Sequence, residues 1–254
     1  MAMIAILSPA KTLDFDKPIP DAPATRPRFP EDAEALSKAA AKLSAKKLGA
    51  LMHISPKLAK LNVERYRGFA DAPERAALYA FMGDVYLGFA ARGLGEPAIA
   101  FAQEHVRILS GLYGLLRPLD AIRPYRLEMG TRWAPGRKKD LYGWWGDRLG
   151  AALADDLASE GSNVVINLAS QEYWAAIAQA PPKGARIVTI DFREAGPDGP
   201  RFVSFNAKRA RGMMARFLCA ERIADPDGLK DFAINGYKFD KPGSDEDRWQ
   251  FLRG

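Results

Sequence analysis

Apolar and polar positions alternate along this chain in blocks that predict an α/β protein. Short apolar runs indicate buried strands at 1–7, 163–169, 186–192 and 201–205, with one or two more around 237–239 and 249–252. Longer segments with helical spacing predict helices at 31–43, 45–53, 55–68, 73–92, 146–160 and 207–223, with interruptions of the helix 73–92 at Gly83 and Gly88. We therefore expect a single domain over residues 1–254, in which many helices surround a mixed β-sheet.

The segment 98–122 predicts a helix, a glycine-bracketed turn and a second short helix, which is a helix-hairpin-helix-like element. Gly111 and Gly114 bracket the turn, and glycine lets backbone N–H groups approach an anion because no Cβ stands in the way. The N-terminus of the following helix would add unpaired donors and a partial positive charge. We expect Gly111, Tyr113 and Gly114 to hold a phosphate of DNA, and Arg117 and Arg123 to neutralise it.

Polar side chains follow three of the predicted strands directly. In open α/β sheets, ligands bind outside the carboxyl ends of the strands. If these ends lie side by side, they form a pocket suited to a phosphate or carboxylate. The residues expected in it are Lys11, Ser170, Glu172, Asn206, Lys208 and Arg211. The structural alternative is that Ser170 caps a helix, Glu172 complements its dipole and Lys11 is solvated.

Two further pairs of charged residues stand out. Arg209 and Arg216 are seven positions apart in the predicted helix 207–223, so we expect them to share a basic outer face. Arg126 and Glu128 lie on one side of a segment that we expect to be extended. They either bind a ligand or pair only with each other.

The composition favours an anionic partner. The formal net charge is +6 and the pI is about 9.4, values typical of proteins that bind nucleic acid, nucleotides or acidic metabolites, although ordinary soluble enzymes carry as much. The single cysteine, Cys219, excludes an intramolecular disulfide and fits a reducing compartment. The chain start lacks the pattern of a signal peptide, and no stretch reaches the ~18 apolar residues of a membrane helix. We expect a cytoplasmic protein with no membrane partner.

Most established catalytic motifs are missing from the sequence. There is no Walker A, GxSxG or GxGxxG pattern. With only His53, His105 and Cys219, no zinc-like spacing exists, and we predict no metal and no cofactor, an all-carboxylate magnesium site remaining the one open alternative. A catalytic triad would have to recruit His53 or His105, both within predicted helices.

Several motifs resemble the YaaA peroxide-stress-resistance family, in order and over nearly the whole chain. They lie at 7–14, 83–86, 109–120, 124–130, 140–142, 165–170 and 208–212. The resemblance implies a cytoplasmic bacterial protein that protects against hydrogen peroxide by lowering free intracellular iron and thereby Fenton damage. It also implies an unusual α/β fold that binds duplex and branched DNA through a basic cleft with a helix-hairpin-helix element. The candidate element here departs from the usual hairpin, because two residues, Leu112 and Tyr113, separate its glycines.

Two functional hypotheses follow. The first is a DNA-binding stress protein without a cofactor, whose phosphate contacts come from Gly111, Gly114, Arg117, Arg123, Lys208, Arg209 and Arg211. The second is an enzyme for a small anionic substrate, in which a lysine beside basic neighbours acts as nucleophile or base. Its pocket would be lined by Lys11, Arg126, Glu128, Ser170, Glu172, Asn206 and Lys208. The sequence leaves the choice open.

Overall fold

The computed structural model describes residues 3–21 and 23–254, so part of the predicted first strand lies outside the described residues. The strands are β1 (Ile4–Leu7), β2 (Thr12–Leu13), β3 (Arg75–Ala76), β4 (Phe81–Met82), β5 (Val106–Ser110), β6 (Gly114–Leu116), β7 (Ala121–Ile122), β8 (Val164–Asn167), β9 (Arg186–Glu194), β10 (Tyr237–Phe239) and β11 (Arg248–Arg253). The α-helices are α1 (Pro30–Ala41), α2 (Ala45–Met52), α3 (Pro56–Arg67), α4 (Ala77–Ala80), α5 (Asp84–Phe89), α6 (Glu96–His105), α7 (Leu141–Trp145), α8 (Arg148–Ser159), α9 (Gln171–Ala178) and α10 (Ser204–Ala220).

Seven of these strands form one mixed sheet in the order β10-β11-β9-β8-β1-β5-β6. The five inner strands run parallel, whereas β6 and β10 pair antiparallel at the two edges. Strands β1 and β8 are buried along their whole length, as expected for parallel strands covered on both faces. The predicted α/β class, with a mixed sheet and many helices, is confirmed.

The helices pack in groups against this sheet. Helix α10 contacts both α5 and α6, and α6 and α10 also contact β1. Helices α7, α8 and α9 form a second group, in which α9 reaches β5. The short apolar strands therefore lie in the interior, and the polar residues that follow them lie where these helices begin.

The order of the strands reverses between β1 and β8. After β1 the chain reaches β5 on one side of it, and later returns to place β8 on the other side. Loops that leave two neighbouring strands toward opposite sides open a crevice at the carboxyl ends of those strands. Strand β8 ends at Asn167, which is paired with Thr189, while β9 continues to Glu194 beside β11. The extension of β9 therefore forms a wall beside this crevice.

The predicted helix-hairpin-helix-like element over 98–122 is not confirmed. Helix α6 ends at His105, and the chain continues as β5, a tight turn and β6. Strand β5 pairs with β1 on one side and with β6 on the other, so its apolar residues satisfy their backbone groups in the sheet. Gly114 has a φ of +73°, which closes a strand-to-strand turn.

Two other boundaries differ from the sequence prediction. The expected helix at 73–92 is divided into α4 and α5 by two short strands. Strand β3, before α4, pairs with β7, and β4, after α4, pairs with β2. The expected strand at 201–205 is reduced to one bridge between Arg201 and Glu194, and α10 begins at Ser204. The two predicted C-terminal strands are confirmed as β10 and β11.

Candidate functional site

A cleft of about 1160 Å³ opens at the carboxyl ends of β1 and β8. We call it the strand-end cleft. It is lined by residues 8–12, 82–86, 167–174, 189–191, 193, 202, 204, 208, 211 and 248. Its walls therefore come from the starts of α5, α9 and α10 and from the extension of β9. The cleft coincides with the reversal of strand order, which is where ligands bind in open α/β sheets.

Two serines join the loops that leave β1 and β8. The backbone N–H of Ser170 donates to Ser8 Oγ at 2.9 Å, and the Ser8 hydroxyl donates to Ser170 Oγ at 3.3 Å. The Tyr86 hydroxyl donates to the Ser8 carbonyl at 3.1 Å, and burial raises the Tyr86 pKa, so this group stays a donor. Ser170 occupies the N-cap position of α9, but its side chain makes no capping hydrogen bond.

The charged residues of the cleft are more positive than negative. Five cations, Lys11, Arg193, Lys208, Arg211 and Arg248, face three carboxylates, Asp84, Glu172 and Asp191. Asp191 accepts from Arg193 Nε at 2.9 Å and also pairs with Arg248. Glu172 Oε1 accepts from the backbone N–H of Gly130 at 3.0 Å.

Helix α10 carries cations that have no carboxylate partner. Lys208 and Arg209 are exposed and form no ion pair with any residue of the described chain. Arg211 is half-buried and forms no ion pair, and its Nε is buried with no hydrogen-bond partner among the described residues. Desolvation lowers its pKa, and the charge of the Asp191 carboxylate opposes this. Lys208 and Arg211 line the strand-end cleft, and Lys208 brings to its wall a positive charge that has no ion-pair partner among the described residues.

Arg126 and Glu128 pair with each other, beside the cleft. Arg126 donates to Glu128 Oε1 through Nε at 2.9 Å and through its terminal nitrogen at 2.8 Å. Lys11, from the cleft, reaches the same oxygen at 3.7 Å. The other carboxylate oxygen of Glu128 is buried and has no partner among the described residues. Lys11 therefore connects the cleft to a buried carboxylate with spare acceptor capacity.

The glycine-bracketed turn lies in the interior. Gly111, Tyr113 and Gly114 are all buried. The backbone N–H groups of Leu112 and Tyr113 donate to Ser110 Oγ at 3.2 and 2.9 Å. The Trp145 indole donates to the Gly111 carbonyl at 3.1 Å. The fold therefore uses the N–H groups of Leu112 and Tyr113 internally, and that Gly111, Tyr113 and Gly114 hold a phosphate stays a prediction.

The arginines that follow this turn have acidic partners. Arg117 Nε lies 3.6 Å from Asp120. Arg123 lies 3.0 Å from Glu74 and its guanidinium is 5.6 Å from the centre of the Phe69 ring. Much of their charge is therefore compensated.

Two of the remaining candidates are used for structure. Asn206 donates to Glu194 Oε1 at 2.6 Å and does not line the cleft. Arg216 donates to the carbonyls of Phe89 and Ala90 at 3.2 and 2.8 Å, at the C-terminal end of α5. Arg216 therefore complements that helix end and does not extend a basic outer face with Arg209.

The described residues contain no group of three or more histidine, cysteine, aspartate or glutamate side chains that could hold a metal ion. His53 ends α2 in the left-handed conformation, and His105 is the last residue of α6. Burial raises the pKa of the Cys219 thiol, which holds it in the neutral, unreactive form. Across residues 3–21 and 23–254, no helix has both the length and the apolar character needed to cross a membrane.

Comparison with known proteins decides the family. The sequence model described as peroxide stress protein YaaA matches residues 3–242. The chain belongs to the YaaA family. It is similar to a UPF0246 protein of Rhizorhabdus wittichii, with 64% identity over 251 residues that cover 99% of both chains. UPF0246 proteins of Burkholderia vietnamiensis and Burkholderia pseudomallei are each 47% identical over 259 aligned residues, covering 99% of this chain and 98% of theirs.

In this YaaA-family cleft, the structure brings together Lys11, Ser170, Glu172, Lys208 and Arg211, all of which the strand-end pattern predicts. Sequence reasoning misses Asp84, Asp191, Arg193, Phe202 and Arg248. A signal for Asp191 and Arg193 is present, because polar residues interrupt the apolar run at 186–194. Phe202 and Arg248 give no local signal, since they reach the cleft only through the packing of α10 and β11.

Proposed function

We propose that this chain is a cytoplasmic peroxide-stress protein that binds DNA phosphates at the strand-end cleft, without reading base sequence, and lowers free intracellular iron. The observation that carries the DNA proposal is the group Lys208, Arg209 and Arg211 on α10, whose charges have no ion-pair partner among the described residues. The net charge of +6 supports the same conclusion. The ligand follows the family resemblance to proteins that bind duplex and branched DNA.

The location of this binding differs from the hairpin that the sequence indicated. Lysine and arginine side chains that neutralise phosphates release condensed counterions, so binding weakens steeply as salt rises. Only cations without a local carboxylate partner contribute fully to this effect. Lys208 and Arg209 meet that condition, whereas Arg117 and Arg123 lie beside Asp120 and Glu74.

The test compares two double variants that each remove two positive charges. Affinity of Lys208→Ala/Arg209→Ala for duplex and junction DNA is measured by fluorescence anisotropy over a series of salt concentrations. The slope of log affinity against log salt should fall by up to about 1.8, which is about 0.9 for each phosphate that is no longer neutralised. The matched control, Arg117→Ala/Arg123→Ala, should change the slope much less. Absence of binding by the parent at low salt, or equal losses in both variants, would contradict the proposal.

The iron proposal has its own measurement. A strain that lacks its own copy of the gene is complemented with the parent or with Lys208→Ala/Arg209→Ala, and chelatable iron is measured by electron paramagnetic resonance after exposure to peroxide. We expect the parent to lower free iron and the variant to fail. If both lower iron equally, the DNA-binding surface has no part in that effect.

A second candidate function is an enzyme acting on a small anionic substrate. One observation favours it: Lys11 joins the cleft to the buried Glu128, whose second oxygen has no partner among the described residues. Lys208 and Arg211 would hold the anion, and Lys11 would act as nucleophile or base. The candidate catalytic residues are those predicted from the sequence, Lys11, Arg126, Glu128, Ser170, Glu172 and Lys208.

The enzyme hypothesis is tested with inorganic phosphate and with a bacterial metabolite extract. Phosphate should compete with DNA if both occupy the cleft. Mass spectrometry of the extract should show a compound that the parent consumes and that Lys11→Ala and Glu128→Gln leave intact. An extract unchanged by the parent protein would remove this candidate.

A further inference from the structure

A second basic surface lies on helices α2 and α3, which pack against each other. Segment 42–67, which contains both helices, carries seven lysine and arginine residues and only one acidic residue, Glu64. We call this segment the basic helix pair. None of its seven cations forms an ion pair with a residue of the described chain, and none lines the strand-end cleft. Their charge is therefore available to a ligand outside the cleft.

Helix α3 presents two leucines among these cations. Leu58 is 39% exposed and Leu61 is 40% exposed, and the two are neighbours because they lie three positions apart on the helix. Lys57 and Lys60 precede them directly and are also exposed. Apolar side chains flanked by lysines on an outward helix face are typical of helices that lie on a membrane surface.

The opposite face of α3 anchors the helix to the protein. Val63 and Tyr66 are buried, and the Tyr66 hydroxyl donates to the Arg126 carbonyl at 2.5 Å. At the start of the helix, Ser55 Oγ accepts from the backbone N–H of Leu58 at 3.4 Å and caps it. The outward face is therefore formed before a ligand arrives, so binding does not have to order the helix.

We propose that the basic helix pair is a docking surface for membranes that contain anionic lipids. Its lysines attract the negatively charged head groups. Leu58 and Leu61 enter the boundary between the head groups and the acyl chains. The sequence predicts no membrane partner because it lacks a spanning segment, but surface docking needs no such segment.

The composition of the surface favours lipid over other anionic partners. Nucleic acid would use the cations but would leave the two leucines without an apolar partner. Protein interfaces are depleted of lysine, whereas five of the seven cations here are lysines. An anionic membrane matches both the lysines and the leucines, since it offers negative charge above an apolar layer.

The experiment measures sedimentation of the full chain with vesicles made of equal parts of phosphatidylglycerol and phosphatidylcholine, and with vesicles of phosphatidylcholine alone. The parent should sediment only with the anionic vesicles. The lysine variant, Lys57→Ala/Lys60→Ala, should lower the partition coefficient about thirtyfold, which corresponds to about 1 kcal/mol for each lysine near an anionic surface. The leucine variant, Leu58→Ala/Leu61→Ala, should lower it at least about tenfold, because apolar groups are withdrawn from the interface.

Two matched controls assign the effect to the basic helix pair. Lys138→Ala/Lys139→Ala removes two exposed lysines that have no ion-pair partner among the described residues. Ile19→Ala/Leu87→Ala removes two apolar side chains that are exposed elsewhere. Both controls should bind the vesicles like the parent. Equal losses in the two pairs of lysine substitutions, or no effect of the leucine variant, would leave only a general attraction of a basic protein and overturn the inference.

The inference and the proposed function can fail separately. Lys208→Ala/Arg209→Ala should retain vesicle binding, because those residues lie outside the basic helix pair. A parent that binds neither kind of vesicle overturns the inference and leaves the DNA proposal standing. A loss of DNA affinity in the lysine variant as large as in this α10 variant, without any loss of vesicle binding, would assign the surface to nucleic acid and also overturn it.

Discussion

The turn at 110–114 and the strand-end cleft both lie at the carboxyl ends of parallel strands, yet only the cleft is open. The turn follows β5, and its backbone donors bond to Ser110 Oγ inside the protein. The cleft follows β1 and β8, and cations on α10 line it without a carboxylate partner among the described residues. The comparison indicates that a turn rich in glycine and arginine can offer its donors to an anion only if the surrounding chain leaves them free.

The difference has a topological cause. Beyond β5 the chain turns straight back as β6. The segment around Leu127 covers this turn so closely that a Cβ added to Gly111 would lie 2.4 Å from the Leu127 carbonyl oxygen. Beyond β1 and β8 the chain departs in opposite directions. Space remains at the ends of these two strands, and the side chains that follow them line it.

The largest loss in the free energy of unfolding should come from a substitution that fills the space around the turn. Gly114→Ala forces a side chain onto a φ of +73° and places a Cβ 2.8 Å from the buried ring of Trp145. Strain and overpacking together should lower the free energy of unfolding by about 3 kcal/mol, measured by urea denaturation. Gly136→Ala is the control, because it has a φ of +70° but open space, and should cost about 1 kcal/mol. Equal costs would mean that the turn is less tightly packed than described.

The second prediction compares the loss of stability on replacing one serine in the turn and one serine in the strand-end cleft. Ser110→Ala removes the acceptor of two buried N–H groups and the partner of the Tyr125 hydroxyl at 2.7 Å. We expect a loss of about 2–3 kcal/mol in the free energy of unfolding, because buried donors are left unpaired. Ser8→Ala removes the acceptor of the Ser170 N–H at the open cleft, where water can replace it, and should cost under about 1 kcal/mol. Similar losses in urea denaturation would argue against the contrast in solvent access.

A smaller effect concerns the loop that carries Lys11. The backbone N–H of Lys17 holds the Asp14 pKa below its ordinary 3.8, helped by the N–H of Asp16 and by Arg92, while burial opposes them. Asp14→Asn should cost about 1.5 kcal/mol near neutral pH, since hydrogen bonds to a charged acceptor are lost.

The pH dependence of that cost has a definite sign. A carboxylate whose pKa is lowered by folding stabilises the protein above pH 3.8, and this contribution is lost as the pH falls through the folded value. The difference between parent and Asp14→Asn in urea denaturation should therefore be constant at neutral pH and shrink below about pH 4. The exposed Asp16→Asn is the control. A difference that does not change with pH would show that the carboxylate charge is not responsible.

The smallest effect on ligand binding should come from Asn206. It belongs to the predicted pocket, but its amide donates to Glu194 outside the cleft. Asn206→Ala should leave DNA affinity unchanged while lowering the free energy of unfolding by about 1 kcal/mol. Anisotropy and urea denaturation on the same variant separate the two outcomes. A loss of affinity as large as that of Lys208→Ala/Arg209→Ala would place Asn206 in the binding surface.

Much of the cleft can be predicted from the sequence, because buried strands are recognisable from short apolar runs and the next polar residues lie at the strand ends. Lys11, Ser170 and Glu172 follow from this pattern and line the cleft. The hairpin prediction is not confirmed, since a short buried segment of five residues such as β5 is too short for its pattern to separate a strand from a helix. Its pairing with β1 and β6 decides the matter, and β1 lies about a hundred residues earlier in the chain.

The α/β class, the positions of five of the seven main-sheet strands and the basic character of the chain follow from the sequence alone, because burial and charge are properties of local composition. Which cations remain free is a property of the folded chain. Arg117 pairs with Asp120 three residues away, a partner already visible in the local sequence, whereas Arg123 meets Glu74 from a distant part of the chain. Lys208 and Arg209 have no carboxylate partner among the described residues. The compensation of a charge also depends on which residues folding brings close to it. By Coulomb's law, a carboxylate near an arginine or lysine weakens the attraction of that side chain for an anionic ligand.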